Sequence, residues 1–531
     1  MESPLIEALR DPSRYPHPVD KVELIETHIS WVLLAGDRVY KIKKPVDFGF
    51  LDFSTLEKRL HFCREEVRLN QRTAPGLYLG VEAVTGSVEQ PALGGDGQPI
   101  EYAACMRRFD VADGFDQLID HGRFQPAHAE SLGDALADLH EKAAVAGIDD
   151  NWGRAETVIG PMRDNFSTLF ERIDDPTRRQ QLETLHAWTE QQFEALADLV
   201  EQRRQSGFVR ECHGDVHLGN VTLFEGQTTL FDCIEFSPDL RWTDVMADLA
   251  FVIMDLHDRG DAANAWRLLD RYLARTGDHS GLALLDFFIV YRAMVRAKVA
   301  ALGLEPGLDD EQMARIRRRV DRYIQLSSQV SAGSRPLLVL TCGVSGSGKS
   351  HLAERLLARC GLVRLRSDVE RKRLFGLSEA QRSGSGLAAG IYSAAAGEQT
   401  YAELRRRARQ LLAAGFGVVV DATFLAQAQR AEFRALAGEQ DCPFAIITCF
   451  AEQAVLRERV QHRARKGADA SEADEAVLTR QLSVFEGCAR EEGALLEIDT
   501  AKAGGADRAA EWVRSLRKMS EPRQARAATA Q

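Results

Sequence analysis

A chain of 531 residues, 45% hydrophobic and 27% charged, has room for about three folding units at ~150 residues each. That composition excludes a largely disordered or collagen-like chain, and each unit is large enough to bury a core of its own. The formal net charge of -12 argues against broad nucleic-acid binding, which needs a positive field, while leaving room for a local basic pocket. The nine cysteines are scattered, with no C-x-x-C and no zinc-spaced cluster. They read as reduced thiols packed as small hydrophobes in a cytoplasmic protein. No basic stretch followed by an apolar run opens the chain, so no signal peptide is expected, and no apolar run reaches the ~18 residues of a membrane span.

The first hundred residues read as strands and turns. HISWVLLAGDRVYKIKK divides into two β-type runs around Gly36 and Asp37, which predicts a hairpin. Alternation places Lys41 and Lys43 on one strand face. Helix is expected over about 54–72. A weak break near 110–126 precedes residues 127–205, where Leu, Ala and aromatics recur at spacings of three and four. Residues 208–236 return to short strands and loops, and 240–328 to helix. QVSAGSRP, residues 329–336, has the composition of a linker. Beyond it LLVLTC, LVRLRS, FGVVVDAT, FAIITCF and LLEIDT alternate with helical patterns. Residues 337–516 therefore predict an α/β domain with a parallel five-stranded sheet covered on both faces. From about 517 the tail has no apolar face and is expected to be disordered.

Within the short strands stands HGDVHLGN, residues 213–220, followed by LFDCIEF. Phosphoryl transfer asks for few protein parts: a carboxylate to take the acceptor's proton, ligands for Mg2+ and a lysine on the phosphates. Asp215 and Asn220 keep the offset of Asp and Asn in H-R-D-x-x-x-x-N, and Asp232 follows an apolar strand. A zinc site of His213 and His217 is disfavoured by the glycine between them and by the lack of helical pattern. The motif resembles the aminoglycoside-phosphotransferase and choline-kinase branch of the protein-kinase-like fold, which writes its catalytic loop H-G-D-x-H-x-x-N. Every position of that pattern is filled.

The resemblance implies a two-lobed α+β protein-kinase-like domain over 1–328, with a small lobe to about 110 and a helical lobe from about 111. It makes Asp215 the catalytic base and Asn220 and Asp232 metal ligands, with His213 bracing the loop and His217 beside it. Glu235 and Asp248 read either as groups that orient the loop or as surface or capping carboxylates. Lys43 falls where the Lys of V-A-I-K would, and is the expected phosphate-binding lysine. Glu65 is preferred over Glu66 as its partner. Cys105–Phe109 falls at the hinge between lobes, where backbone groups would meet adenine. No G-x-G-x-x-G covers the phosphates. No protein-kinase activation segment is visible, which points to a small-molecule acceptor.

GVSGSGKS, residues 343–350, fits G-x-x-x-x-G-K-[ST] between a predicted strand and a predicted helix. Gly343, Ser345, Gly346, Ser347 and Gly348 would curl backbone N–H groups around phosphate oxygens. Lys349 would neutralise the β- and γ-phosphates and Ser350 would hold Mg2+. Asp368 and Arg371 follow the second strand, and Asp421, a Walker-B-like carboxylate, ends the third. Arg459 and Arg463 lie in RERVQHRARK, a run that reads either as a solvated face or as a lid over the transferring phosphate. This segment resembles the small P-loop kinases of gluconate-kinase-like, polynucleotide-kinase-like and zeta-toxin-like type. That likeness implies Asp368 as base on the acceptor hydroxyl and Arg371 as a group that holds the acceptor. A surface salt bridge between the two is the alternative.

The whole chain resembles bacterial fusions of an aminoglycoside-phosphotransferase-like domain with a P-loop kinase-like ATPase domain. The expectation is a cytoplasmic phosphotransferase with two nucleotide-binding modules, using ATP and Mg2+. Its acceptor would be a hydroxyl of a small molecule such as a sugar, sugar acid, amino alcohol or nucleoside, and no membrane is involved. Two other readings stay open: a nucleotide-gated regulatory protein, and a kinase of nucleic-acid 5′-hydroxyls in the second domain, which the acidity disfavours.

Overall fold

The computed structural model describes residues 3–49, 51–304, 307–386, 389–466 and 470–519. The chain divides into two compact units. One takes in Met1–Asp174, Thr189–Asp255 and Tyr291–Leu302; the other takes in Asp175–Trp188, Leu256–Val290 and Gly303–Gln531.

The first unit opens with strands β1 (Val22–Glu26), β2 (Ser30–Ala35), β3 (Arg38–Lys43), β4 (Tyr78–Gly86), β5 (Pro91–Leu93) and β6 (Glu101–Arg107). They form one antiparallel sheet in the order β1-β2-β3-β6-β4-β5. The hairpin between β2 and β3 turns at Gly36, whose φ of 61° suits a residue without Cβ. Strand alternation gives the sheet two apolar faces. Tyr40 and Ile42 pack with Ile6 and Leu9 on one, while Val39, Ala104 and Met106 pack with Val67 on the other. Val67 belongs to the helix Leu56–Asn70, started by Thr55, whose hydroxyl takes the Lys58 amide. Lys41 and Lys43 share the helix-side face with Val39.

After β6 the described chain is largely helical, broken by β7 (Val209–Glu211), β8 (Val221–Phe224), β9 (Gln227–Leu230) and β10 (Trp242–Asp244). β8 and β9 form a hairpin across Glu225 and Gly226, both at positive φ, as a two-residue loop of matching twist requires. β7 pairs with β10. Between these two ribbons runs the HGDVHLGN loop.

The second unit holds β11 (Leu338–Cys342), β12 (Leu362–Arg366), β13 (Gly417–Asp421), β14 (Phe444–Phe450) and β15 (Ala494–Asp499). All neighbours are parallel, in the order β12-β13-β11-β14-β15. This is the doubly covered sheet that continuous apolar runs demand. Val339, Val419 and Ile447 pack with Leu352 and Leu356 of the helix Lys349–Cys360 and with Val513 of the helix Gly505–Met519. The helix Asp310–Ser331 runs into the segment expected to be a linker. The helix Gly505–Met519 likewise takes in the first residues of the segment expected to be disordered. The rest of that tail, 520–531, lies outside the described residues. No helix among the described residues is long and apolar enough to cross a membrane.

Candidate active sites

The HGDVHLGN loop is hung on two aspartates of one helix, Val245–Asp258. Asp248 and Asp255 are two turns apart and so share a face. Asp248 is wholly buried. Its oxygens accept the amides of His213 and Gly214, each at 2.9 Å, and Nε2 of His140 at 3.2 Å. Asp255 accepts the Leu218 amide at 2.9 Å. Burial alone would push the Asp248 carboxyl up; the hydrogen bond from His140 and the nearby positive charge outweigh it and hold it well below the usual range. Cys212 lies within 4.8 Å of His140 and Asp248, but both Asp248 oxygens are already occupied, so the group acts as a brace.

Burial keeps His213 low and therefore neutral. It donates from Nε2 to the Phe231 carbonyl at 2.9 Å and accepts the Asp215 amide at Nδ1, 3.4 Å away. Asp215 is left 37% exposed, with His217 Nε2 at 3.7 Å. His217 accepts the Gly219 amide at Nδ1, so its Nε2 carries the proton and faces the carboxylate. Asn220 Nδ2 donates to the Asp215 carbonyl at 2.9 Å.

Facing this loop is a cluster of two lysines and three acids. Lys43 meets Glu66 at 2.8 Å and also meets Glu235; its side chain is 0% exposed. Lys41, 12% exposed, meets Glu66 at 3.0 Å and also Asp232. Burial pushes both lysines down, and the surrounding carboxylates more than reverse it. The acids outnumber the lysines, and Glu235 carries the excess: burial and Glu66 push its carboxyl up, while Glu66 and Asp232 are held low against burial by Lys41 and Lys43. Asp232 itself sits at a φ of 61°, a costly backbone state for a residue with a Cβ.

One expectation is corrected here. The partner of Lys43 is Glu66, not Glu65, whose carboxylate lies on Arg68 and near Arg241. The reason is helical phase: Arg59, Cys63, Glu66, Val67, Leu69 and Asn70 are the buried positions, and Glu66, three after Cys63 and four before Asn70, stands inside that stripe while Glu65 stands at its edge. Lys43 is enclosed by Glu66, Glu235 and the Phe53 ring, whereas Lys41, on the same strand face, is the more open of the two and meets Asp232.

The donors here suit a hard divalent cation: the Asp232 carboxylate and the Asn220 amide oxygen, held by a loop whose own polar groups are satisfied.

In the second unit the loop after β11 carries the phosphate motif. Gly343, Gly346 and Gly348 have φ of 134°, 81° and 87°. A Cβ on Gly343 would lie 2.3 Å from the Cys449 carbonyl oxygen, and one on Gly346 would lie 2.8 Å from that of Leu456. Only glycine fits. Lys349 donates to the Val344 carbonyl at 2.8 Å, inside the cradle. Burial lowers its ammonium despite Asp421 nearby.

Lys349, Ser350, Asp368, Arg371, Asp421 and Arg463 line a cleft of about 990 Å³, along with Ser345, Gly346, Gly348 and Arg459. Ser347 is buried and accepts weakly from Lys349. The Ser345 amide is taken by Gln481 at 2.7 Å. Asp368 makes no hydrogen bond or ion pair with the described residues, Arg371 included. Arg371 instead donates to the Ile391 carbonyl at 3.0 Å and lies over the Tyr392 ring. Within the arginine run, Arg459 ties Gly346 to Thr500 and Arg463 reaches the Ala473 carbonyl, while Arg457 faces outward to Glu475. The Ser350 hydroxyl and the Asp421 carboxylate again form a hard-oxygen pair fit for a divalent cation. A second cleft of about 410 Å³ shares Gly348, His351 and Arg459 and is closed by Thr500–Ala506.

The cysteines are free thiols, most of them buried. Cys342, at the root of the phosphate loop, has its sulfur 2.9 Å from that of Cys488. That hydrogen bond lowers Cys488 to about 7, while burial pushes the Cys449 and Cys63 thiols up to about 12.

A family model described as "Phosphotransferase enzyme family" matches residues 80–285, and one described as "AAA domain" matches 338–488. Uncharacterized protein Rv2004c of Mycobacterium tuberculosis and uncharacterized protein Mb2027c of Mycobacterium bovis are each 30% identical over 469 residues, 88% of this chain and 92% of theirs. The chain belongs to their family. It joins a phosphotransferase domain of protein-kinase-like fold to a P-loop kinase-like domain, in that order. Among solved structures, a choline/ethanolamine kinase family protein from Mesorhizobium loti is similar at 13% identity, covering 62% of this chain and 98% of that one, with a TM-score of 0.36. A gluconokinase from Sinorhizobium meliloti is similar at 24% identity, covering 35% and 99%, with a TM-score of 0.25. Likeness at these scores carries no argument about function.

Three outcomes follow for this family member. Asp248→Ala strands two amides and His140 at about 1–3 kcal/mol each, so denaturant unfolding of the full chain is expected to shift by ~3 kcal/mol or more. The same carboxylate contributes stability that is full above its ordinary value of 3.8 and is lost as pH falls through the lower folded value. Lys41→Met is expected to cut kcat/KM for ATP at the first site by roughly 100-fold. Lys43→Met instead leaves Glu235 buried without its cation, while Glu66 keeps Lys41, and is expected to cost about 3–5 kcal/mol of stability. The opposite split would return the phosphate role to Lys43. Finally, iodoacetamide labelling of the native chain near pH 7 is expected to fall first on Cys488 and to vanish there in Cys488→Ser.

Proposed function

We propose that the protein is a kinase with two active sites, each moving the γ-phosphate of ATP to a hydroxyl of a small molecule. What carries the reading is that each phosphate-binding constellation has its own carboxylate free of any cation. Asp215 lies in the loop that His213 ties to Phe231, the residue before Asp232, and Asp368 shares a cleft with Lys349. At each site the acceptor oxygen attacks the γ-phosphorus, the bond to the β-γ bridging oxygen breaks, ADP leaves, and the carboxylate takes the hydroxyl proton. A bound Mg2+ would neutralise charge on the β- and γ-phosphates. Asn220 and Asp232 would hold it at the first site, and Ser350 and Asp421 at the second. Lys41 and Lys349 meet the phosphates from fixed positions, so little reorganisation is needed as charge shifts.

At the second site the geometry supports a division of labour. The 410 Å³ cleft beyond Gly348 suits the nucleotide base, with Arg459 between base and phosphates. The larger cleft, with Asp368, Arg371 and Tyr392, suits the acceptor. A sugar, sugar acid, amino alcohol or nucleoside fits the need for a hydroxyl near Asp368. The acidity of the chain works against a nucleic-acid acceptor.

The test is transfer of labelled γ-phosphate into a metabolite extract by the wild type, by Asp215→Asn and by Lys349→Ala. Each variant is expected to lose its own labelled product by at least ~100-fold, since charge stabilisation of this kind is worth roughly 3–4 kcal/mol. Loss of the same product by both would mean that the sites act in sequence. No labelled metabolite from the wild type would overturn the kinase reading in favour of a nucleotide-gated binding protein.

A further inference from the structure

The phosphotransferase family match runs to residue 285, yet the helix Ala262–Thr276 belongs to the same compact unit as the P-loop. It packs along the helix Lys349–Cys360 that follows the phosphate loop. Gly361 allows this approach: at a φ of 60° it ends that helix, and a Cβ there would lie 3.1 Å from the Trp266 ring.

Polar contacts gather on and around one short stretch, β12 and the helix Ser367–Leu374 behind it. Asp270 receives a two-point ion pair from Arg364, at 3.1 and 2.6 Å. Both side chains are largely enclosed, 16% and 11% exposed. The same guanidinium reaches the Ser350 carbonyl at 3.4 Å. Arg271 meets Glu379 at 2.9 Å, and the other oxygen of Glu379 holds Arg366 at 2.6 Å. Arg366 occupies the N-cap position of the helix carrying Asp368 and Arg371. At the far end of that helix Arg373 donates to the carbonyls of Leu273 and Ala274, at 3.1 and 2.7 Å. These are terminal carbonyls of a helix, which attract a cation. Arg407 closes the frame, reaching the Gly277 carbonyl at 3.2 Å and the Glu370 carboxylate at 3.1 Å. Glu370 and Arg373 are three apart and share the braced face. Asp368 and Arg371, also three apart, share the face that lines the cleft.

We infer that Asp270 and Arg271, residues of the phosphotransferase-domain sequence, are positioning residues of the P-loop site: they hold Arg364 and Arg366, and through them Ser350 and the helix that presents Asp368 and Arg371. The inference deepens the proposed function of that site and rests on it. An acceptor base must be placed to within a fraction of an ångström, and the helix that carries Asp368 has only eight residues. Its own turns do not fix it; the charges behind it do.

The experiment uses the full chain carrying Asp215→Asn, which silences the first site, with Asp270→Asn, Asp270→Glu and Arg271→Ala added singly. Mg-ATP turnover that is lost in Lys349→Ala defines the second site's activity. Asp270→Asn is expected to lower kcat per folded molecule by about 10- to 100-fold, the cost of misplacing a reacting group, with a smaller change in KM for ATP. Asp270→Glu, which keeps the charge, is expected to recover part of that loss. Arg271→Ala removes the Glu379 arm and is expected to give a milder fall. It remains informative if Asp270→Asn does not fold.

Hydrogen exchange across residues 364–374 is expected to quicken in Asp270→Asn, with the exchange of the helix Gly505–Met519 unchanged. Turnover within two-fold of the parent in both Asp270→Asn and Arg271→Ala would overturn the inference. So would unchanged exchange across 364–374, even in a chain with no turnover at all. Absence of any Lys349-dependent turnover in the parent, with exchange responding as expected, would instead sink the kinase reading of this site.

Discussion

The wholly buried Asp248 carboxylate takes two backbone amides and one imidazole, and the first site hangs from it. The loop that carries Asp215 and Asn220 has only the short turn Leu218–Asn220 to satisfy its own amides. Left alone in a dry place, those amides would each be costly. Asp248 and Asp255 supply the missing acceptors from a rigid helix, so the order of the loop comes from charge fixed behind it. Neutral His213 then ties the loop to the strand end that carries Asp232.

The same device recurs wherever these sites need a group held still. Lys41 is fixed between Glu66 and Asp232, and Lys349 by the Val344 carbonyl. At both places a cation is buried only because acceptors are waiting for it, as the cost of burying charge demands. The first cluster has one acid too many, and Glu235 is the carboxyl pushed toward protonation. The second site uses backbone as much as side chains: its glycines bring the loop against the Cys449 and Leu456 carbonyls at distances no Cβ allows.

Much of this was legible in the sequence because the signals were local. HGDVHLGN and GVSGSGKS are each one short unbroken stretch of chain, and the period-2 run RVYKIK fixes which lysines share a face. The misjudged partner of Lys43 had a local signal as well. Cys63, Glu66, Val67 and Asn70 fall at helical spacing, and reading that apolar stripe would have turned Glu66 inward. Which of the two lysines stands more open had none. Both point the same way, and only the closure of Phe53 and Glu235 over Lys43 leaves Lys41 the more exposed. Asp255 was equally hidden: inside an apolar helix an aspartate reads as an interruption until its partner amide is placed.

The contribution of Ala262–Thr276 was illegible for a deeper reason. Sequence marks a domain boundary by composition, and QVSAGSRP has the composition of a boundary. Compactness follows buried contacts instead, and these gather Leu256–Val290 with the P-loop residues. An amphipathic helix states that one face will be covered without saying by what. Here the cover is a strand and helix crowded with arginines: Arg364, Arg366, Arg371 and Arg373 within ten residues. Four guanidiniums so close repel one another unless each finds an acceptor. Arg371 finds the Ile391 carbonyl within its own fold. Arg364 finds Asp270 on the helix Ala262–Thr276, Arg373 finds that helix's last carbonyls as well as Glu370 on its own helix, and Arg366 shares Glu379 with Arg271. The excess of arginine behind Asp368 is thus matched by acidic and carbonyl groups from a segment that sequence assigns elsewhere. The pairing of these charges explains why the compact unit reaches past the linker.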